Sequence, residues 1–469
     1  MSKEKQLAKN TALYAIGSIG TKILTFLIVP LYTYYIDTSN MGIYDAIITA
    51  MSLLSPVAVL SIYEGVYRWS IENRNNAGVY IRYGIKVEFR NLTIIALVLI
   101  AVELFIDIPY FLYVLFYLVS MCLHTYFARV ARGVGMTKLY TSLGLVYTVL
   151  YLTLNLLLIV YARLGIQALL LSSIISYTVT TLIFALCMKN IICDRKENDY
   201  ILSLHERKRI TFYSLANTPN SICWWIVGLS DRFALIWFVS TSVNGIYSIS
   251  QKFPTVVSLL TTIFYYAWQD QALTTFNDKD KDEYYTSVFK LYSKFLLSMT
   301  LCLIPFTKYI VLFMEASYET AWHFVMPLYL GTVFSALASF YGIGYQGSKQ
   351  NVRALTTTAA AAFVNIAINM IFIPLFPSYG IWIASLSTAI SYFVLFVTRA
   401  IQCKRYFSIR INKIELSIMI ALNIICGIVL LYTGLLADIV IFSACVIIAV
   451  LMCKEYFLKV LHLLKRRKK

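Results

Sequence analysis

Fourteen apolar runs, each about as long as a helix needs to cross a bilayer, occupy most of this sequence. A hydrocarbon core of about 30 Å takes about 20 helical residues at 1.5 Å each. The runs lie at approximately 11 to 36, 42 to 63, 91 to 106, 110 to 128, 140 to 162, 166 to 188, 211 to 239, 245 to 267, 289 to 313, 323 to 346, 352 to 373, 379 to 400, 414 to 433 and 437 to 457. The longest interruptions, 64 to 90, 191 to 210 and 268 to 288, are too short to bury a core of their own. Only 13% of the 469 residues are charged, about half the share a wetted surface carries. An ordinary soluble enzyme is excluded. No secretory leader is expected, because 1 to 10 is polar and the next run is too long for a signal core.

The net charge of +17 would suggest nucleic acid in a soluble protein, but here its location assigns it another meaning. With the N-terminus inside and the runs alternating, cytoplasmic segments collect 35 of the 40 basic residues, Arg68, Arg207, Lys208, Arg209 and the tail Lys465 to Lys469 among them. The outer loops hold only Arg163 and Lys308, beside Asp37, Glu103, Asp107, Glu315, Glu319 and Asp438. That asymmetry is the positive-inside pattern of a multi-pass protein with both termini cytoplasmic. No nucleic-acid partner is expected. The nine cysteines show no C-x-x-C spacing and the four histidines are isolated, so neither a metal site nor a disulfide framework is expected. The run Gly17 to Lys22 lacks the phosphate-loop spacing, and no cofactor is expected.

The chain repeats itself. Thr38-Ser39-Asn40-Met41-Gly42-Ile43-Tyr44 recurs as Thr241-Ser242-Val243-Asn244-Gly245-Ile246-Tyr247, and Gly165-Ile166, Ser172 and Ile175-Ser176-Tyr177 recur as Gly380-Ile381, Ser387 and Ile390-Ser391-Tyr392. Six spans per repeat give both copies the same orientation, the arrangement in which a site lies at the repeat interface and lobes rock to alternate access. The expected fold is an all-α integral membrane protein of 14 transmembrane helices. Two parallel six-helix lobes, 1–198 and 199–405, surround a central cavity, and 406–469 adds spans 13 and 14 with a basic cytoplasmic tail.

Charges inside the spans mark where function is expected. A Lys, Arg or Asp at mid-bilayer costs about 2.5 to 3.5 kcal/mol and faces a cavity or a partner by default. Lys22 shares a polar stripe with Thr11, Tyr14, Ser18, Thr21 and Thr25. Asp231 and Arg232 lie in the seventh span, with Asn217, Ser221, Trp224 and Gly228 on their face, allowing for a kink at Pro219. Lys252 lies two turns into the eighth span, with Asn244, Ser248, Thr255 and Thr262. Lys22, Arg232, Lys252, Asp231 and Asn217 are the expected substrate-binding residues of a cavity of net positive charge, with Asp231 either contacting substrate or orienting a cation. Such a cavity favours an anion, and the guanidinium fork suits phosphate. Asp45 reads as an acid favoured by the helix dipole.

Lys9-Asn10-Thr11-Ala12-Leu13-Tyr14, Pro30-Leu31-Tyr32, Gly42-Ile43-Tyr44-Asp45, Ser230-Asp231-Arg232-Phe233 followed by Gly245-Ile246-Tyr247-Ser248, and Ala267-Trp268-Gln269 together resemble the Wzx-type polysaccharide flippases. These form the polysaccharide-transporter branch of the superfamily that also holds the lipid II flippases and the multidrug and toxin extruders. The resemblance implies a fourteen-helix flippase of a bacterial plasma membrane, not an enzyme. Its partners would be a polyprenyl-pyrophosphate-linked glycan, membrane lipids, and the polymerase and glycosyltransferases of O-antigen or capsule assembly. By similarity to the lipid II flippases, spans 13 and 14 would form a groove for the lipid tail. Two other readings stay open. A cation-coupled multidrug extruder would place acids where Lys22 lies, and a membrane glycan polymerase would need outer loops longer than these.

Overall fold

A computed structural model of the chain describes residues 29–73, 76–193, 202–276, 278–348 and 350–466. Among these residues the architecture is all-helical, with no strand. The first half holds α1 (Val29–Tyr35), α2 (Thr38–Ala58), α3 (Ile62–Glu72), α4 (Ala77–Glu103), α5 (Phe111–Gly133), α6 (Thr137–Leu156), α7 (Ile166–Cys187) and α8 (Lys189–Ile192). The second holds α9 (Leu204–Leu229), α10 (Asp231–Phe238), α11 (Thr241–Ser250), α12 (Pro254–Thr274), α13 (Lys281–Val311), α14 (Val325–Gly347), α15 (Asn351–Leu375), α16 (Gly380–Gln402), α17 (Lys413–Leu430) and α18 (Leu435–Arg466). Nine helical segments among the described residues are long and apolar enough to cross a membrane, ten if the bent pair Ser221–Leu229 and Asp231–Phe238 is one span.

The remaining runs differ from simple spans for identifiable reasons. Helix α4 begins well before the run expected at 91, because Arg82, Lys86, Glu88 and Arg90 continue the helix beyond its apolar half. That apolar half is strongly exposed, Leu97 at 62%, as a lipid-facing surface requires. The seventh run is continuous through Pro219 and breaks instead at Ser230, where the axis turns by 48°. The eighth run is interrupted at 251–253, and Pro254 opens α12 at a position where its missing N–H costs no hydrogen bond. Asp45 is two turns into α2, which begins at Thr38. Dipole stabilisation is confined to the first turn, so it does not account for this buried carboxyl.

The chain forms two compact units, one of Met1–Ile36 and Ile43–Trp225, the other of Asp37–Gly42 and Ile226–Lys469. In the first, α3 packs on α4 and α5, and α7 packs on α5 and α6. Its centre is aromatic and hydroxylated. The Tyr151 hydroxyl lies 3.4 Å from those of Tyr32 and Tyr44, and Tyr147 stacks on Tyr177 at 4.7 Å. These rings face one another, so they are packing groups here.

In the second unit α16 packs on α14 and α15, while α13 carries α17 and α18. The last connection is clasped by Lys308 of α13. Its Nζ donates to the carbonyls of Leu430, at 2.9 Å, and Thr433, at 2.8 Å, where α17 ends, and pairs with the buried Asp438 of α18 at 2.8 Å. One cation therefore satisfies helix-terminal carbonyls and a carboxylate together. Lys308→Met leaves Asp438 buried without its cation and is expected to cost about 3 kcal/mol. Thermal unfolding in detergent should show the fall, and Lys308→Arg should restore part of it.

The repeat motif has a structural counterpart within the second unit. Thr38 and Thr241 each begin a helix, and the first turns of α2 and α11 cross in backbone contact. A Cβ on Gly42 would collide with the Thr241 carbonyl, and one on Gly245 would collide with the Thr38 carbonyl. The contacts are reciprocal, each glycine meeting the threonine that opens the other copy of the motif. The Ser39 and Thr241 hydroxyls meet at 2.9 Å, and Asn244 Nδ2 donates to the Gly42 carbonyl at 2.9 Å.

Candidate functional site

The candidate site in the second unit forms at the two helix breaks. Asp231 is the first residue of α10, after the turn at Ser230, and is fully buried. Its carboxylate accepts from the Tyr247 hydroxyl at 2.7 Å, from Asn369 Nδ2 at 2.6 Å and from the Thr388 hydroxyl. The donors come from α11, α15 and α16, so one carboxylate ties three neighbouring helices to the start of α10. The network continues outward. Gln251 Nε2, at the second break, donates to the Tyr247 hydroxyl at 2.7 Å. Ser230 donates to Asn365 Oδ1 at 2.9 Å, and Asn365 Nδ2 donates to Ser387 at 3.0 Å. An ionised group can be buried this way because neutral donors replace the water it loses.

Arg232 is also buried, at 6% exposure. Its guanidinium lies 5.8 Å from the centre of the Tyr247 ring, and Nη1 donates to the Gly228 carbonyl at 3.3 Å. Tyr247 therefore joins both charges, its hydroxyl to Asp231 and its face to Arg232. Cation–π attraction favours keeping the guanidinium near that ring. Lys252 sits in the interruption between α11 and α12, half-buried. The residues expected to share its stripe are engaged with backbone. Asn244 donates to Gly42, Ser248 to Gly245 at 2.9 Å and Thr262 to Ser258 at 2.7 Å. Lys22 lies outside the described residues, and so does the side chain of Asn217, a position within α9.

Tyr247, Asn369, Thr388 and Gln251 were not singled out from sequence, because uncharged polar groups carry little insertion penalty. Tyr247 nevertheless stands inside the repeated motif, and Asn365 and Asn369 are one turn apart on α15. Two further buried charges were assigned to the cytoplasmic segments by the same reasoning. Glu88 of α4 is fully buried. Arg399 of α16, 5% exposed, donates to the Thr357 and Thr358 hydroxyls and to the Ala338 carbonyl.

No protein-family model matches the chain and no curated protein matches it. Solved structures do. The lipid II flippase MurJ, in an inward closed conformation, aligns at a TM-score of 0.67 and 13% identity, covering 95% of this chain and 100% of MurJ. An inward-facing multidrug resistance transporter of the MATE family, within the MOP superfamily, aligns at 0.66 and 13% identity, covering 84% of this chain and 98% of its own. A mutant of the Vibrio cholerae MATE transporter VcmN aligns at 0.58 and 15% identity, covering 86% and 96%. The chain shares the all-helical fold of the MOP superfamily transporters.

Proposed function

We propose that the chain is a flippase carrying a polyprenyl-pyrophosphate-linked oligosaccharide across the bacterial plasma membrane, for O-antigen, capsule or related surface polysaccharide. Alternating access of two six-helix repeats, 1–198 and 199–405, would supply the movement, with both termini cytoplasmic. The observation that carries the substrate class is Arg232, a buried guanidinium 5.8 Å from the Tyr247 ring centre at a helix break. Broken membrane helices are where transporters bind charged substrates, and a guanidinium suits a diphosphate. Lys22 and Lys252 supply the other cations for that group. Asp231, already bonded to Tyr247, Asn369 and Thr388, positions Arg232 and does not contact substrate, and Asn217 is a further binding residue of this reading. The prenyl tail stays in lipid beside α17 and α18. The alignment with MurJ covers about a tenth more of this chain than that with the MATE transporters, which supports a two-helix addition of the flippase kind. The polymerase and glycosyltransferases of the same assembly line are the partners this reading implies.

Lys22→Ala and Arg232→Ala are expected to abolish surface glycan in a deletion strain while reaching the membrane at normal levels. Full export by both variants contradicts the reading. The likeness to MATE transporters favours drug extrusion as the alternative. It predicts that the deletion strain becomes drug-sensitive with its glycan intact.

A further inference from the structure

The basic residues of α3 and α9 in the first unit form a built cleft. Arg68 and Trp69 of α3, with Lys208, Arg209, Phe212 and Tyr213 of α9, line an open space of about 680 Å³. Rings and guanidinium groups alternate across it. Arg209 lies 5.8 Å from the Trp69 ring, Trp69 meets Tyr213 edge to face at 5.6 Å, and Arg68 lies 4.8 Å from the Tyr213 ring. Cation–π contact holds guanidinium groups beside the rings of the cleft, and guanidinium is a group suited to phosphate. His205 also lines the cleft, and no carboxylate is among its lining residues. Glu206, on the same turn of α9, accepts from the Ser203 backbone N–H at 2.9 Å.

The same face of α9 is apolar and exposed. Leu204, Phe212 and Leu215 are 69%, 75% and 44% exposed, and their spacing of eight and three residues places them with Lys208 on one stripe of the helix. Cations and a lipid-facing apolar stripe therefore adjoin. A soluble phosphate would use only the first, whereas a phospholipid uses both.

We propose that this cleft binds the headgroup of an anionic phospholipid, its phosphate against Arg68, Lys208 and Arg209 and an acyl chain along Leu204, Phe212 and Leu215. The site shares no residue with that of Asp231 and Arg232 and stands whether or not the flippase reading does. Its lipid is a bound component of the membrane, and the positive charge of this segment serves recognition as well as insertion.

Native mass spectrometry of the purified full-length protein, titrated with phosphatidylglycerol or phosphatidylcholine, tests this directly. The wild type should retain phosphatidylglycerol at least about 30-fold better, and Lys208→Ala/Arg209→Ala should remove about 30-fold of that preference, as expected for two interfacial cations. Phe212→Ser should weaken retention of both lipids and keep the preference. Lys208, Arg209 and Phe212 are exposed, so the fold should survive, and an unchanged unfolding temperature checks it; Lys208→Glu offers a single-site version. Equal retention of the two lipids by the wild type, or an unchanged preference in the double variant, overturns the proposal. Displacement of phosphatidylglycerol by an equal concentration of inorganic pyrophosphate overturns its lipid assignment.

Discussion

Asp231→Ala is expected to lower the unfolding temperature more than any other single change at the candidate site and to abolish export. Three donors, from Tyr247, Asn369 and Thr388, lose the acceptor they share. A buried group left unsatisfied costs about 1 to 3 kcal/mol, and breaking a buried charged cluster costs about 3 to 5 kcal/mol. Asp231→Asn keeps the shape but turns N–H groups toward donors, so it should lose about half as much. Thr388→Val removes one donor and leaves the carboxylate two, and should keep both fold and export. Differential scanning fluorimetry in detergent, paired with surface glycan in a complemented strain, reads both effects. An Asp231→Ala protein with wild-type stability would mean that the carboxylate does not tie these helices together.

The second large effect is expected where the repeat meets itself. Gly42→Ala or Gly245→Ala drives a Cβ into a backbone carbonyl, and neither carbonyl can rotate away as a side chain would. Overpacking of this kind costs about 1 to 3 kcal/mol, and bulkier residues should cost more. Because both sites share one crossing, the double variant should lose less than the sum of the two. Gly144 is the control. It lies inside α6 with nothing within 4 Å of a built Cβ, so alanine there should be neutral or stabilising by up to about 1 kcal/mol. The comparison separates a packing requirement from the general effect of glycine on helix stability.

Much of this fold was legible because a membrane allows few alternatives. Apolar length alone located the helices, and the described residues carry a helix at every expected run from the second to the fourteenth. What hydropathy could not locate was where those helices end or break. The third run begins only after Arg90, while a helix stops only where its backbone hydrogen bonds do, and α4 therefore extends back past Glu88 and Arg82. Arg399, inside the run 379 to 400 yet counted with the cytoplasmic charges, is enclosed by Thr357, Thr358 and Ala338. At the candidate site the charges were legible because they are expensive in lipid. Their partners were not, since Asn369 and Thr388 meet Asp231 only through tertiary packing. The motif containing Gly42 and Gly245 was legible as a repeat, but not as a crossing of the two copies.

The central claim is transport of a lipid-linked glycan, and reconstituted transbilayer movement measures it most directly. Purified protein in liposomes is given a polyprenyl-pyrophosphate-linked oligosaccharide in one leaflet, and an impermeant glycosidase or lectin reports its arrival in the other. The flippase reading predicts protein-dependent movement with the wild type and its loss with Arg232→Ala. No movement by the folded wild-type protein, or equal movement by Arg232→Ala, contradicts it.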